Sequence, residues 1–249
     1  MTLAVMTTGA VRTLTLNRPE VRNALDQATI EALIAALDQA DLDAAVRVVA
    51  VRGAGKDFCA GADLRELLQS ADQPPEGNQA AASRLGAVFT SMRRIPKPVV
   101  ALVQGRALAG GAGLATACDL VLAAESAQFG YPEVHRGFVP AMVMTMLRRI
   151  TGERRAFDLV ATGRLLSASE AENWGLVSRV YPDAEFDKGT EAILADLAAA
   201  SPSALALIKR LLYDLDGQSF ADGIALGARV NAIARMHPDF KAAAAAFLK

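Results

Sequence analysis

Pro96-Lys97-Pro98-Val99-Val100-Ala101-Leu102-Val103-Gln104-Gly105-Arg106-Ala107-Leu108-Ala109-Gly110-Gly111-Ala112-Gly113-Leu114-Ala115 decides the fold. The two prolines end the helix before them, and Val99 to Val103 is an uninterrupted apolar run of the kind found in strands buried on both faces. From Gly105 to Gly113 small residues stand at nearly every position, which lets backbone approach backbone. Gly110-Gly111 then precedes a helix running through Leu114 and Ala115, so strand, tight loop and helix follow directly on one another.

The same alternation extends in both directions. Leu3 to Met6 and Val11 to Leu16 read as a hairpin around a Thr-Thr-Gly turn. Asp26 to Asp41 carries Ile30, Leu33, Ile34 and Leu37 at helical spacing, with Asp26 as N-cap. Val46 to Val51 is a buried strand that runs into Gly53-Ala54-Gly55. Ser70 to Gly77, rich in Asp, Gln and Pro, is expected to be a mobile surface loop or lid, and Gln79 to Arg94 the helix after it. Cys118 to Ala123 reads as a further strand. From Ala184 helix formers dominate, with Ser201-Pro202-Ser203 and His237-Pro238-Asp239 as helix starts. The alanine-rich end, Lys241 to Lys249, has too little bulky apolar area to stand alone and should dock on a neighbour. The class is α/β, with layers of short strands rather than a uniform βαβ array.

Composition narrows the function classes. The chain has 249 residues, 52% of them apolar, and a formal net charge of −1, enough for a large core and without a like-charge block for nucleic acid or a membrane surface. Its two cysteines, Cys59 and Cys118, form no Cys-x-x-Cys pair, which argues against a structural metal and fits the reducing cytoplasm. Met1 to Thr15 lacks the pattern of an export signal. Val99 to Ala124 is too interrupted by polar residues and glycine to span a bilayer.

Chemistry concentrates in three segments. Ala60, Gly61 and Ala62 follow a strand and precede a short helix that starts near Asp63, where an N–H unpaired by the helix can face a ligand oxygen. Gly110-Gly111 offers a second such N–H. Two donors of this kind make an oxyanion hole, although each loop by itself is equally a tight turn packing a strand on a helix. Phe129-Gly130-Tyr131-Pro132-Glu133 supplies a carboxylate, Glu133, able to move a proton next to a polarised carbonyl. A nucleotide loop fits poorly: neither Gly-x-x-x-x-Gly-Lys-Ser/Thr nor a clean Gly-x-Gly-x-x-Gly occurs, and Asp119 lies too near to be a ribose ligand.

The ordered set Phe58 to Leu64, Gly105 to Gly113, Cys118-Asp119 and Ala127 to Glu133 resembles the crotonase, or enoyl-CoA hydratase/isomerase, superfamily. Asn17-Arg18-Pro19, Asn23-Ala24-Leu25, Thr162 to Ala168, Glu170-Ala171 and Gly175-Leu176-Val177 extend the resemblance over most of the chain. It implies a spiral of ββα repeats over residues 1–195 and a C-terminal helical region, 196–249, that packs trimers, with a hexamer as a dimer of trimers. It implies a coenzyme A thioester as substrate, no separate cofactor and no metal. The thioester oxygen would sit between the N–H groups of Ala60 and Gly110, Glu133 would be the acid–base group, and Gly61, Ala62, Asp63 and Ala141 would line the substrate.

Two positions depart from the two-glutamate hydratase pattern. Gly113 stands where the first glutamate would be, which removes a water ligand and leaves single-acid chemistry such as migration of a 3-enoyl double bond to the 2-position. Ala141-Met142-Val143-Met144-Thr145-Met146-Leu147 replaces a glycine-rich stretch and builds a bulkier wall, as acyl pocket or as plain core. The expected activity is hydration of an enoyl-CoA, with Glu133 and the Ala141 N–H holding the water. The alternatives are the isomerase and a non-catalytic acyl-CoA-binding member. His135 and Tyr131 are secondary proton-carrier candidates, Cys59 has no neighbour to activate it, and Arg22 and Lys249 are candidates to meet CoA phosphates.

Overall fold

The computed structural model describes residues 1–248. In chain order it contains β1 (Leu3–Thr8), β2 (Val11–Leu16), α1 (Gln27–Leu42), β3 (Val48–Gly53), α2 (Leu64–Ser70), α3 (Pro75–Arg94), β4 (Val99–Val103), β5 (Arg106–Leu108), α4 (Gly110–Ala117) and β6 (Leu120–Ala124). Then follow β7 (Gln128–Gly130), a 3-10 turn (Pro132–Arg136), α5 (Ala141–Thr151), α6 (Glu153–Thr162), β8 (Leu165–Ser167), α7 (Ala168–Asn173), β9 (Arg179–Tyr181), α8 (Phe186–Ala199), α9 (Pro202–Asp214), α10 (Phe220–Met236) and α11 (Pro238–Phe247).

Two sheets share these strands. The larger runs β1-β2-β3-β4-β6-β9, parallel except for the β1/β2 hairpin, and the smaller runs β5-β7-β8. Successive repeats give one strand to each sheet: β4 then β5, β6 then β7, and for the β3 repeat a single bridge from Cys59 to Ala107 of β5. This is the expected spiral of ββα units.

The apolar runs of β3, β4 and β6 follow from burial on both faces. Val49, Val51, Val99, Ala101, Val103, Val121 and Ala123 face the main core with α1, α3 and α4. Val48, Ala50, Val100, Leu102, Leu122 and Ala124 face a second core closed by Phe186 and Leu194 of α8. α8 runs across residue 195 and packs on the large sheet, and Ser201 caps α9 directly after it. Of the described residues in α9, α10 and α11, only Lys209 is buried.

Three local expectations are corrected. β1 continues through Thr7 and Thr8, since β-branched residues extend the ladder, and leaves a turn at Gly9-Ala10. Ser70 to Gly77 is not a long lid: α2 reaches Ser70 and α3 starts at Pro75, because proline is well suited to the first helical position. The strand expected from Cys118 starts at Leu120, since Cys118 caps the end of α4.

Candidate active site

The first loop is fixed by pairings that decide which of its N–H groups are free. Asn23 Nδ2 donates to the carbonyls of Ala54 (2.9 Å) and Asp57 (2.8 Å), anchoring the turn after β2 to the end of β3. Cys59 N donates to Arg106 O at 3.1 Å and Leu108 N to Cys59 O at 2.9 Å, which sets the loop against β5. The Ala60 N–H donates to Arg22 O at 3.0 Å, so the donor expected at Ala60 is already occupied. Leu25 N donates to Gly61 O (2.8 Å) and Asp63 N to Leu25 O (2.9 Å), a one-residue parallel bridge between Leu25 and Ala62. In such a bridge the central residue's own N–H points away from its partner. The Ala62 N–H has no acceptor among the described residues, and a Cβ built on Gly110 would lie 3.6 Å from its nitrogen. The free donor in this loop is therefore Ala62, two residues beyond the expected one.

The second donor comes from the end of β5. Leu108 pairs with Gly130 of β7, and Ala109 N donates to Gly130 O at 2.8 Å, so the chain after β5 and the chain after β7 leave the small sheet side by side. Ala109 turns into α4 with φ 52° and ψ −129°, a conformation that L residues rarely adopt. Gly110 opens α4 with no side-chain cap, and its N–H has no acceptor among the described residues. Gly111 cannot carry a side chain, because a Cβ there would collide with the Cys59 carbonyl. That close approach sets the start of α4 against the first loop and brings Gly110 beside Ala62.

β7 is followed by Tyr131, whose buried hydroxyl lies 2.9 Å from Thr116 Oγ1; Thr116 in turn donates to Ala112 O at 2.7 Å. This ties the 3-10 turn to α4. Glu133, in the first turn of that segment, is 8% exposed, and its Oε2 is buried with no hydrogen-bond partner among the described residues. Burial pushes its carboxyl above the usual range, only partly offset by a backbone N–H and by Arg136. A buried carboxyl with one oxygen free and a raised pKa is suited to taking and returning a proton.

A family model for enoyl-CoA hydratase/isomerase matches residues 6–248. The chain belongs to that family. Relatives in Thermus thermophilus and Rhizobium meliloti, both provisionally named enoyl-CoA hydratases, are 42% and 40% identical. The alignments cover 97% of this chain and 95% of the first relative, and 82% and 78% for the second. The crystal structure of an enoyl-CoA hydratase from Mycobacterium smegmatis superposes with a TM-score of 0.95 at 33% identity, over all of this chain and 96% of the other. The fold is the crotonase fold with a C-terminal helical region, and the chain is an enzyme of the lyase or isomerase kind.

Against the two-acid pattern of the family, the Gly113 position is filled rather than open. A Cβ there would lie 2.5 Å from Val143 Cγ2 and 3.2 Å from Phe89 Cζ, so side chains of α5 and α3 occupy the space a side chain would need. Val143, Met146 and Leu147 are buried core, while Ala141 and Met144 face outward. Ala141 opens α5 after Pro140, which leaves its N–H outside the helical ladder. Gly61 turns with φ +100° between the two donor segments. Asp63 caps α2 through Arg65 N and pairs with Arg18 at 3.1 Å; burial raises its carboxyl, and the Arg65 N–H and Arg18 outweigh that to hold it below the usual range.

His135 is exposed on the 3-10 turn. Cys59 is buried with its thiol pushed up to about 12, and burial also raises Tyr131, so neither ionises readily. Arg22 is exposed beside Asp57, and Lys249 lies outside the described residues. Among the described residues no single helix is long and apolar enough to cross a membrane.

Proposed function

We propose that this chain hydrates a 2-enoyl-CoA thioester. The thioester oxygen accepts from the Ala62 and Gly110 N–H groups, and Glu133, with the Ala141 N–H, holds the water. Water oxygen bonds to C3 while its proton passes to Glu133; the C2–C3 π electrons move onto the thioester oxygen as an enolate, which the two donors stabilise. Glu133 then returns the proton to C2 and the carbonyl reforms, so one carboxyl serves both halves of the addition. The coenzyme A thioester is the substrate, and no separate cofactor enters. The observation that carries this reading is the buried, partnerless Glu133 Oε2 just past the strand that runs beside the one leading to Gly110.

One observation favours a second reading. Val143 and Phe89 make the place of a second acid apolar, which suits a proton shuttle from C2 to C4, isomerising a 3-enoyl to a 2-enoyl thioester. Crotonyl-CoA and 3-hexenoyl-CoA incubated in H₂¹⁸O separate the two by mass. Incorporation of ¹⁸O at C3, lost in Glu133→Gln, establishes hydration; bond migration without ¹⁸O establishes isomerisation. No turnover of either substrate by a folded protein that binds them points to a different acyl group or to an acyl-CoA-binding member.

Assembly into trimers, or a hexamer of two trimers, is supported by the C-terminal helices. Ile208, Leu212, Phe220, Ile224, Ile233 and Met236 are all more than half exposed there, more apolar surface than a lone helical extension keeps in water. A cytoplasmic setting is supported by two buried free thiols, Cys59 and Cys118.

A further inference from the structure

We propose that Arg18 is a positioning residue that holds the Ala62 N–H in place to meet the thioester oxygen. The inference rests on the donor pair proposed above. The guanidinium spans both sides of the Leu25–Ala62 bridge. Its Nη1 donates to Ala24 O at 2.7 Å and meets Asp26 Oδ2 at 3.1 Å, so it holds the residues on either side of Leu25. Its Nη2 meets Asp63 Oδ2 at 3.1 Å, the residue next to Ala62.

Each carboxylate spends its other oxygen on a helix start. Asp26 Oδ1 accepts from Thr29 N (2.8 Å) and Thr29 Oγ1 (2.6 Å), and Asp63 Oδ1 accepts from Arg65 N (3.0 Å). Two helices and the donor loop therefore converge on one cation. The Arg18 backbone is itself held, its N–H donating to Asn23 Oδ1 at 3.0 Å and its carbonyl accepting from Asn23 N at 2.8 Å. Arg22 and Asn23 both take left-handed φ, 53° and 57°, so the intervening turn has little freedom to compensate.

A planar guanidinium reaches two carboxylates and a carbonyl in fixed directions; a lysine ammonium is a point charge that does not reproduce the fork. In Arg18→Lys the charge remains, but one ammonium cannot reach Ala24 O, Asp26 and Asp63 in the directions the two Nη atoms do, and the bridge that aims Ala62 loosens. Loss of a whole oxyanion donor lowers turnover about 100- to 1000-fold, so misplacement of one donor is expected to lower it about 10- to 100-fold.

The test reads carbonyl polarisation directly. The CoA thioester of 4-dimethylaminocinnamic acid absorbs at longer wavelength as its carbonyl is polarised, and it is bound in turn to wild type, Arg18→Lys and Glu133→Gln. The expected result is a red shift in wild type, the same shift in Glu133→Gln, and less than half of it in Arg18→Lys. In Arg18→Lys kcat falls about 10- to 100-fold with KM little changed. Asp63→Asn, which keeps an oxygen to cap α2 but not the charge, is expected to lose part of the shift and stands in if Arg18→Lys does not fold. A full red shift and unchanged kcat in these variants overturn the role of Arg18. No red shift in wild type overturns the donor pair itself, and the proposal with it.

Discussion

Gly113 and Val143 form one packing unit, and a mutant cycle measures it. A Cβ on Gly113 would stand 2.5 Å from Val143 Cγ2, whereas carbon atoms rest at about 3.5–4.0 Å, so Gly113→Ala intrudes by about 1 Å on a buried side chain. Alanine gains about 1 kcal/mol over glycine inside a helix, against about 2 kcal/mol for overpacking of this size, a net loss of about 1 kcal/mol. Val143→Ala removes two methylene-sized groups worth about 0.8 kcal/mol each and leaves a cavity, a loss of about 2–3 kcal/mol. In the double variant the methyl added at position 113 enters the space that Cγ2 left, so the overpacking disappears and part of the cavity is filled, for a loss of about 1 kcal/mol. The two changes should then couple by about 2–3 kcal/mol, where independent sites add to within about 0.5 kcal/mol. Urea unfolding at one protein concentration, with equal m-values, reads all three variants. Additive losses would refute the claim that Val143 occupies the place of a side chain at 113. By the same reasoning Gly113→Glu alone does not install a second working carboxylate, because its first carbon has nowhere to go.

Glu133→Gln should melt higher than wild type near neutral pH. Its folded-state carboxyl is raised above 4.5, so wild type loses stability as pH rises through that folded value, and the gap should close as pH falls toward about 4; a gap in melting temperature that does not change with pH would contradict this. Ala109→Gly relieves a backbone strain of about 1–3 kcal/mol at a glycine entropy cost of about 0.5–1 kcal/mol, so chemical denaturation should show a gain of about 1 kcal/mol, and a loss would deny the strain. Lys209→Met takes from Asp119 its cation, leaving it the Val99 N and Tyr213 hydroxyl donors, and removes the donor that serves Met92 O and Lys97 O, so it should cost about 3 kcal/mol in the same assay. A cost below about 1 kcal/mol would mean that this pair does not anchor α9 to the core.

The layers of the fold were legible where composition has a single cause. Val99 to Val103 has no polar position because both of its faces are buried, and no surface strand tolerates that pattern. Asp26 was readable as an N-cap because its partner, Thr29 N, lies within the same turn. Ser70 to Gly77 misled because proline marks loops and helix starts alike, and only the helix after Pro75 tells them apart.

The site divides along a similar line, between chemistry carried by side chains and chemistry carried by backbone. Glu133 could be picked out by residue type, and only its burial had to come from the fold. The proposed oxyanion donors are N–H groups that every residue but proline possesses, so Ala60 and Ala62 are equivalent in sequence. What separates them is that Arg22 takes one hydrogen and the Leu25 bridge turns the other outward, and both partners lie far back along the chain. Gly113 shows the same limit from the opposite side: its missing side chain is visible in sequence, but its replacement by a methyl of Val143 is not. Arg18 joins the two cases, because its charge is plain in the sequence while its effect is exerted on the Ala62 backbone through Asp26, Asp63 and Ala24. A substitution at Ala62 that spares the bridge therefore leaves the donor in place, whereas one at Arg18 disturbs the donor without touching the substrate.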